Sequence, residues 1–253
     1  MNSVPPKNDL RSGPLPQATR RGITQENPCA ACAVREMTVC APLSDDEQRR
    51  LYGISTTMKL EPRKTIFEEG DPAEHVFNIT SGSVSLSKSL PDGRRQITGF
   101  LYPGDFLGLA HNITYAYSAE TLNHVCICRF PRKKFEEMLR EFPHMERRLL
   151  TIASNELATA QDQMLLLGRK TAVERLSSFL IGLSDRMTAR GAAPGMIDLP
   201  MGRGEIADYL GLTIETVSRT FTKLKQVGAL ALPDASSVRV VDVAKMRDLA
   251  SGS

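Results

Sequence analysis

The sequence predicts an α+β chain in three parts: a β-rich N-terminal half, one long amphipathic helix and a small helical C-terminal domain. Three observations carry this. Between residues 58 and 135, short apolar runs alternate with turn residues at intervals of roughly ten. From Pro143 the apolar period becomes that of a helix. Past Thr171, residues 203–222 have the pattern of two helices joined by a tight glycine turn.

The bulk properties fit this. The 253 residues are 41% hydrophobic and 24% charged, as in an ordinary globular protein of one large or two modest domains. A formal net charge of +3 is too mild to identify a nucleic-acid partner. No apolar run reaches transmembrane length, and the N-terminus lacks the apolar stretch of a signal peptide. A cytoplasmic protein without a membrane partner is expected.

Residues 1–27 carry four prolines and no periodicity, which predicts a mobile tail. Residues 28–42 hold Cys29, Cys32 and Cys40 between two prolines. Ser44, followed by Asp45, Asp46 and Glu47, predicts the start of a short helix. Turn signals at Gly70-Asp71-Pro72, Ser81-Gly82-Ser83, Pro91-Asp92-Gly93 and Pro103-Gly104-Asp105 separate candidate strands at 76–79, 84–86, 96–101 and 125–130. Such short, evenly spaced strands predict a barrel or sandwich.

Within 143–168, Leu150, Ala153, Leu157, Ala160, Met164 and Leu167 are spaced 3, 4, 3, 4, 3. That is a heptad seam suited to dimerisation, although the same period fits a helix packed on its own domain. Alanine at two of the six positions thins the layers, so two such helices would associate weakly. A weak dimer is easily tipped by free energy from elsewhere.

Residues 169–253 read as a separate domain. One helix runs from Thr171 to about Arg190, and two shorter helices and a hairpin follow, with Leu230 and 238–241 as strands. In the stretch from Arg203 to Thr222, Ala207 lets two helices approach and Gly211 permits positive φ. Val217 packs the second helix on the first, and Ile206, Leu210 and Leu212 complete a small core. Thr213 caps the second helix. Its early face carries Glu215, Ser218 and Arg219, placed i, i+3, i+4 and so on one side. Arginine can pair with guanine and glutamate with cytosine; a solvated Glu215–Arg219 ion pair is the plainer alternative. Lys223 and Lys225 suit phosphates of double-stranded DNA.

Cys29-x2-Cys32-x7-Cys40 gathers three thiols on one irregular segment, and a fourth ligand must come from the β-region, at Cys126 or Cys128. Four thiolates suit zinc or an iron–sulfur cluster, and spacing barely separates them. No phosphate loop, nucleophile elbow or His/Asp pair beside a cysteine points to an enzyme.

Together, the cysteine cluster, Gln96-Ile-Thr-Gly-Phe100, residues 162–167 and the segment from Tyr209 to Arg219 resemble the cAMP receptor protein/FNR superfamily. Within it they resemble the oxygen-responsive FNR group of FnrL type. The resemblance covers residues 28–245 and implies a β-roll (jelly-roll) sensor over 28–142, a dimerisation helix over 143–168 and a winged helix-turn-helix over 169–253. It further implies a homodimer, contacts to RNA polymerase, and a [4Fe–4S] cluster that holds the active dimer until oxygen degrades it. The implied target is an inverted repeat close to TTGAT-N4-ATCAA, read through Glu215, Ser218 and Arg219. Ligation by Cys29, Cys32, Cys40 and Cys128 is implied, since Cys128 best fits the family's position ahead of a proline; Cys126 faces the same side of its strand. Zinc or no cofactor is the alternative. The seven residues before Cys40 exceed the five of the best-known FNR proteins and are similar to FnrL variants. Many FNR relatives carry an acidic residue where this chain has Ala160, which implies looser control of dimerisation. Gly108 and Ser118 lack the neighbouring Glu and Arg of a cyclic phosphate site, so no cyclic AMP binding is expected.

Overall fold

The computed structural model describes residues 29, 31–109 and 113–252; the expected mobile tail over 1–27 and His111 lie outside the described residues. A turn segment through the cysteines contains a short 3-10 turn, Arg35–Met37. Helix α1 (Asp45–Gly53) begins where the Ser44 hydroxyl accepts from the Glu47 amide, while the Glu47 carboxylate accepts from the Ser44 amide at 2.8 Å.

Among the described residues eight strands follow: β1 (Thr56–Leu60), β2 (Thr65–Phe67), β3 (His75–Ser81), β4 (Val84–Ser89), β5 (Arg95–Leu101), β6 (Phe106–Leu107), β7 (Ser118–Thr121) and β8 (Val125–Pro131). They form two antiparallel four-stranded sheets, ordered β1-β8-β3-β6 and β2-β7-β4-β5. One core joins both sheets through Phe67, Phe77, Ile79, Val84, Ala119 and Ile127. Because side chains alternate along a strand, Val76 and Phe130 face the other way. They share a second core with Val39 and Leu43 of the cysteine segment, Leu51 of α1, and Phe135 and Met138 of helix α2 (Arg132–Glu141). The cysteine segment therefore packs on the outer face of the first sheet.

Helix α3 (Pro143–Arg169) is the longest element. Beyond it lie α4 (Ala172–Ala189), β9 (Met196–Asp198), α5 (Arg203–Leu210), α6 (Ile214–Gln226), β10 (Leu230–Ala231), β11 (Ser237–Val240) and α7 (Val243–Ser251). The small sheet β10-β11-β9 forms the wing beside the two short helices. The sequence reading missed α2, α7 and the strands β1, β2, β6, β7 and β9. Each strand has only two to five residues, too short to establish a period, and α2 hides its buried Phe135 and Met138 among seven charges.

The β-domain and the C-terminal domain are tied together. Arg95 of β5 pairs with Asp208 of α5 at 3.0 Å, and the Gln96 amide donates to the Tyr209 carbonyl at 3.2 Å. Asp105 receives Arg186 at 2.7 Å and Arg190 at 2.5 Å, both from the end of α4. Phe100, Phe179 and Tyr209 pack as a ring cluster with centroids 5.2–6.1 Å apart. Among the described residues no helix is long and apolar enough to cross a membrane.

Candidate metal centre and nucleic-acid interface

The helix-turn-helix is built as its side chains require. Ile206, Leu210 and Val217 have no exposed surface, and Ala207 is buried between the two helices. Gly211 takes φ 62°, the left-handed conformation that closes α5. The Thr213 hydroxyl then accepts from the Thr216 amide at 3.2 Å and starts α6. Thr213, Glu215, Ser218, Arg219 and Lys223 are all exposed. Arg219 reaches the Thr216 hydroxyl at 3.5 Å, and no ion pair with Glu215 is closed. The nearby Arg219 guanidinium still helps hold the Glu215 carboxyl below its usual range, after larger contributions from its own backbone amide and the Thr213 hydroxyl. The face is charged, solvated and free to meet a ligand.

At the other end of the molecule, Cys29, Cys32, Cys40 and Cys128 line one small cavity with Arg35, Thr38 and Asn78. The first three sit on consecutive turns: the Cys32 amide donates to the Cys29 carbonyl at 3.2 Å, and the Arg35 amide to the Cys32 carbonyl at 3.1 Å. Cys128 comes from the middle of β8, between Thr57 of β1 and Asn78 of β3. Cys126 lies two residues earlier, opposite Ser81 across a register shift, and is not among the lining residues. All five cysteines are half-buried.

Burial pushes the Cys40 thiol up to about 11, against the lowering hydrogen bonds of Thr38 and Asn78. Burial and the neighbouring Cys40, Cys29 and Cys32 push Cys128 up to about 12. The Cys40 and Cys128 thiols are therefore protonated near neutral pH, and ligation of a metal group by them would release protons.

Two features that sequence reasoning missed join this site to the rest. Arg148 of α3 donates to the carbonyls of Met37 at 3.0 Å and of Thr38 at 3.3 Å, and so anchors the cysteine segment on the long helix. Asn78, buried in β3, donates its amide to the Cys40 sulfur at 3.5 Å. Neither has a local signal, because the partners are 111 and 38 residues away along the chain.

Along α3 the seam residues divide. Leu150, Leu157 and Met164 are 66%, 61% and 72% exposed. Ala160 is exposed and Ala153 half-buried. Leu167 is half-buried against the core of the C-terminal domain, beside Gly211.

Residues 57–142 match the cyclic nucleotide-binding domain, and residues 174–249 match the Crp-like helix-turn-helix domain. The transcriptional activatory protein AadR of Rhodopseudomonas palustris is 42% identical over 221 residues, covering 87% of this chain and 92% of that protein. The chain belongs to the Crp/FNR family. Another member, the transcriptional activator protein FnrL of Cereibacter sphaeroides, is 39% identical over 86% of this chain and 90% of its own length. The solved structure of FixK2 from Bradyrhizobium japonicum superposes with a TM-score of 0.73 at 36% identity, covering 78% of this chain and 97% of that one. Like other Crp/FNR proteins, the chain is a DNA-binding transcription regulator and not an enzyme. Its fold is the β-roll and winged helix-turn-helix that the family resemblance implies.

Where a Crp-type phosphate site would lie, the structure offers other groups. Tyr117 stands before Ser118 and its hydroxyl accepts from the Gly108 amide at 3.2 Å. Arg132 is engaged by the carbonyls of Ala73 and Gly108.

Proposed function

We propose that this protein is an FNR-type transcription activator whose DNA binding is governed by an oxygen-labile [4Fe–4S] cluster. Cys29, Cys32, Cys40 and Cys128 would hold the cluster. One observation carries the reading: thiols from two distant parts of the chain ring a single cavity, with a buried amide N–H directed at one of the sulfurs. The donor set is all sulfur, the chemistry of iron–sulfur sites. Once bound, a cluster would supply an oxygen-sensitive crosslink between the cysteine segment and the sheet. Arg148 would pass that constraint to α3, whose exposed stripe is the proposed surface for a second copy. A homodimer would present two copies of α6 to an inverted repeat, with RNA polymerase met elsewhere on the protein.

Purification without oxygen tests the cluster. A brown protein with about four iron and four sulfide per chain is expected for a [4Fe–4S] site. A colourless protein containing zinc, or no metal, would overturn the reading.

The base-reading role of α6 has its own test. Arg219→Ala should weaken binding to a TTGAT-N4-ATCAA duplex by about 1–3 kcal/mol per half-site and relax the preference for guanine. Fluorescence anisotropy with matched and guanine-substituted duplexes measures both. Unchanged selectivity would mean that another side chain reads that base.

A further inference from the structure

Asn78 is anomalous on folding grounds. It is 2% exposed in the middle of β3, between the core residues Phe77 and Ile79. Asparagine is disfavoured in strands, and a buried amide needs partners for both its ends. Here the carbonyl oxygen Oδ1 has none. The amide nitrogen has one, the Cys40 sulfur at 3.5 Å. An aliphatic residue would suit this strand better, so the fold alone gives no reason for the amide.

The site gives one. Asn78 is the direct cross-strand neighbour of Cys128, so the two side chains stand on the same face of the sheet. Cys40, in contrast, lies on an irregular segment where no ladder fixes its side chain; its own amide is held only by the Thr38 hydroxyl at 3.1 Å. A donor on the sheet that reaches Cys40 sets the loop-borne ligand against the strand-borne one. A charge-polarised N–H···S contact also strengthens as the sulfur gains negative charge, which happens when it becomes a ligand.

Resting on the cluster reading above, we propose that Asn78 is a positioning residue for the cysteine centre: its amide holds Cys40 beside Cys128 and stabilises the metal-bound form of that sulfur. Asn78→Leu keeps the size of the side chain, removes the donor, and also removes the unpartnered buried oxygen. The loaded and the metal-free protein should therefore respond in opposite directions. Purified anaerobically and challenged with a ferrous chelator, the Leu variant should lose iron about tenfold faster than the unmodified protein, the lower end of what loss of an outer-sphere partner costs. The thermal midpoint of its metal-free form should stay level or rise. Asn78→Ser, which is polar but too short to reach Cys40, should match the Leu variant in iron loss and serves if the Leu variant fails to fold. Equal iron retention in the variants and the unmodified protein would overturn the assignment. So would a metal-free midpoint that falls in step with iron retention, since that marks a purely structural role. An unmodified protein that holds no iron would overturn the cluster reading itself, which is a separate and recognisable result.

Discussion

Cys128→Ser should leave the anaerobically purified protein without iron, while Cys126→Ser should retain nearly all of it. Both cysteines lie on β8 two residues apart and share strand parity, so sequence alone leaves either as the fourth ligand. The pairing of β8 with β3 separates them. Cys128 stands opposite Asn78, in the row that faces the cysteine segment, and lines the cavity with Cys29, Cys32 and Cys40. Cys126 stands opposite Ser81, past the point where the β3 register slips. Its carbonyl is held by the Thr80 hydroxyl at 2.9 Å, so β8 is pinned there and does not slide easily toward the cavity. Serine is nearly isosteric with cysteine but a poor ligand for iron–sulfur centres, and loss of one of four ligands should abolish assembly. Iron and sulfide analysis of both variants, with visible absorbance, reads the result. Iron kept by Cys128→Ser and lost by Cys126→Ser would reverse the assignment.

The elements that were legible in the sequence are those whose causes are local. Ser44 and Glu47 announce α1 because both halves of the capping box lie within four residues. The spacing of Ala207, Gly211 and Val217 specifies the helix-turn-helix because close approach, positive φ and packing each demand one residue type at one place. The strands β3, β4, β5 and β8 are legible because turn residues bracket six or seven strand residues. What stays hidden depends on partners far along the chain. Gln96 carries part of the family resemblance, yet only the structure shows that its amide binds the Tyr209 carbonyl of the DNA-reading domain. Asn78 and Arg148 are ordinary residues until β3 and α3 are laid against the cysteine segment. Leu167 fits the heptad by spacing, but the turn into α4 draws it onto the core of its own domain.

Leu157→Asp should convert the protein to a monomer and abolish binding to the inverted repeat, even with the cysteine centre loaded. Leu150, Leu157 and Met164 recur every seven residues and form one exposed apolar stripe along α3. Among the described residues of a single chain nothing covers this stripe, and an exposed stripe of this kind marks an association surface. In a parallel two-fold seam each residue meets its own copy, so one substitution acts twice. Removing two buried leucines forfeits about 1.5–3 kcal/mol apiece. Two carboxylates then face each other in the layer as well. Ala153 and Ala160 add little area to compensate, and Leu167 is partly committed to its own domain. A total of about 3–6 kcal/mol raises the dimer dissociation constant by roughly 10²–10⁴, at about 1.4 kcal/mol per factor of ten. The fold itself should survive, because Leu157 is 61% exposed in the single chain. Far-ultraviolet circular dichroism should be unchanged while anaerobic sedimentation shows half the mass. A variant that still sediments as a stable dimer would show that the subunits meet through some other surface. The proposed route from the cysteine segment through Arg148 to the exposed stripe of α3 would then be wrong.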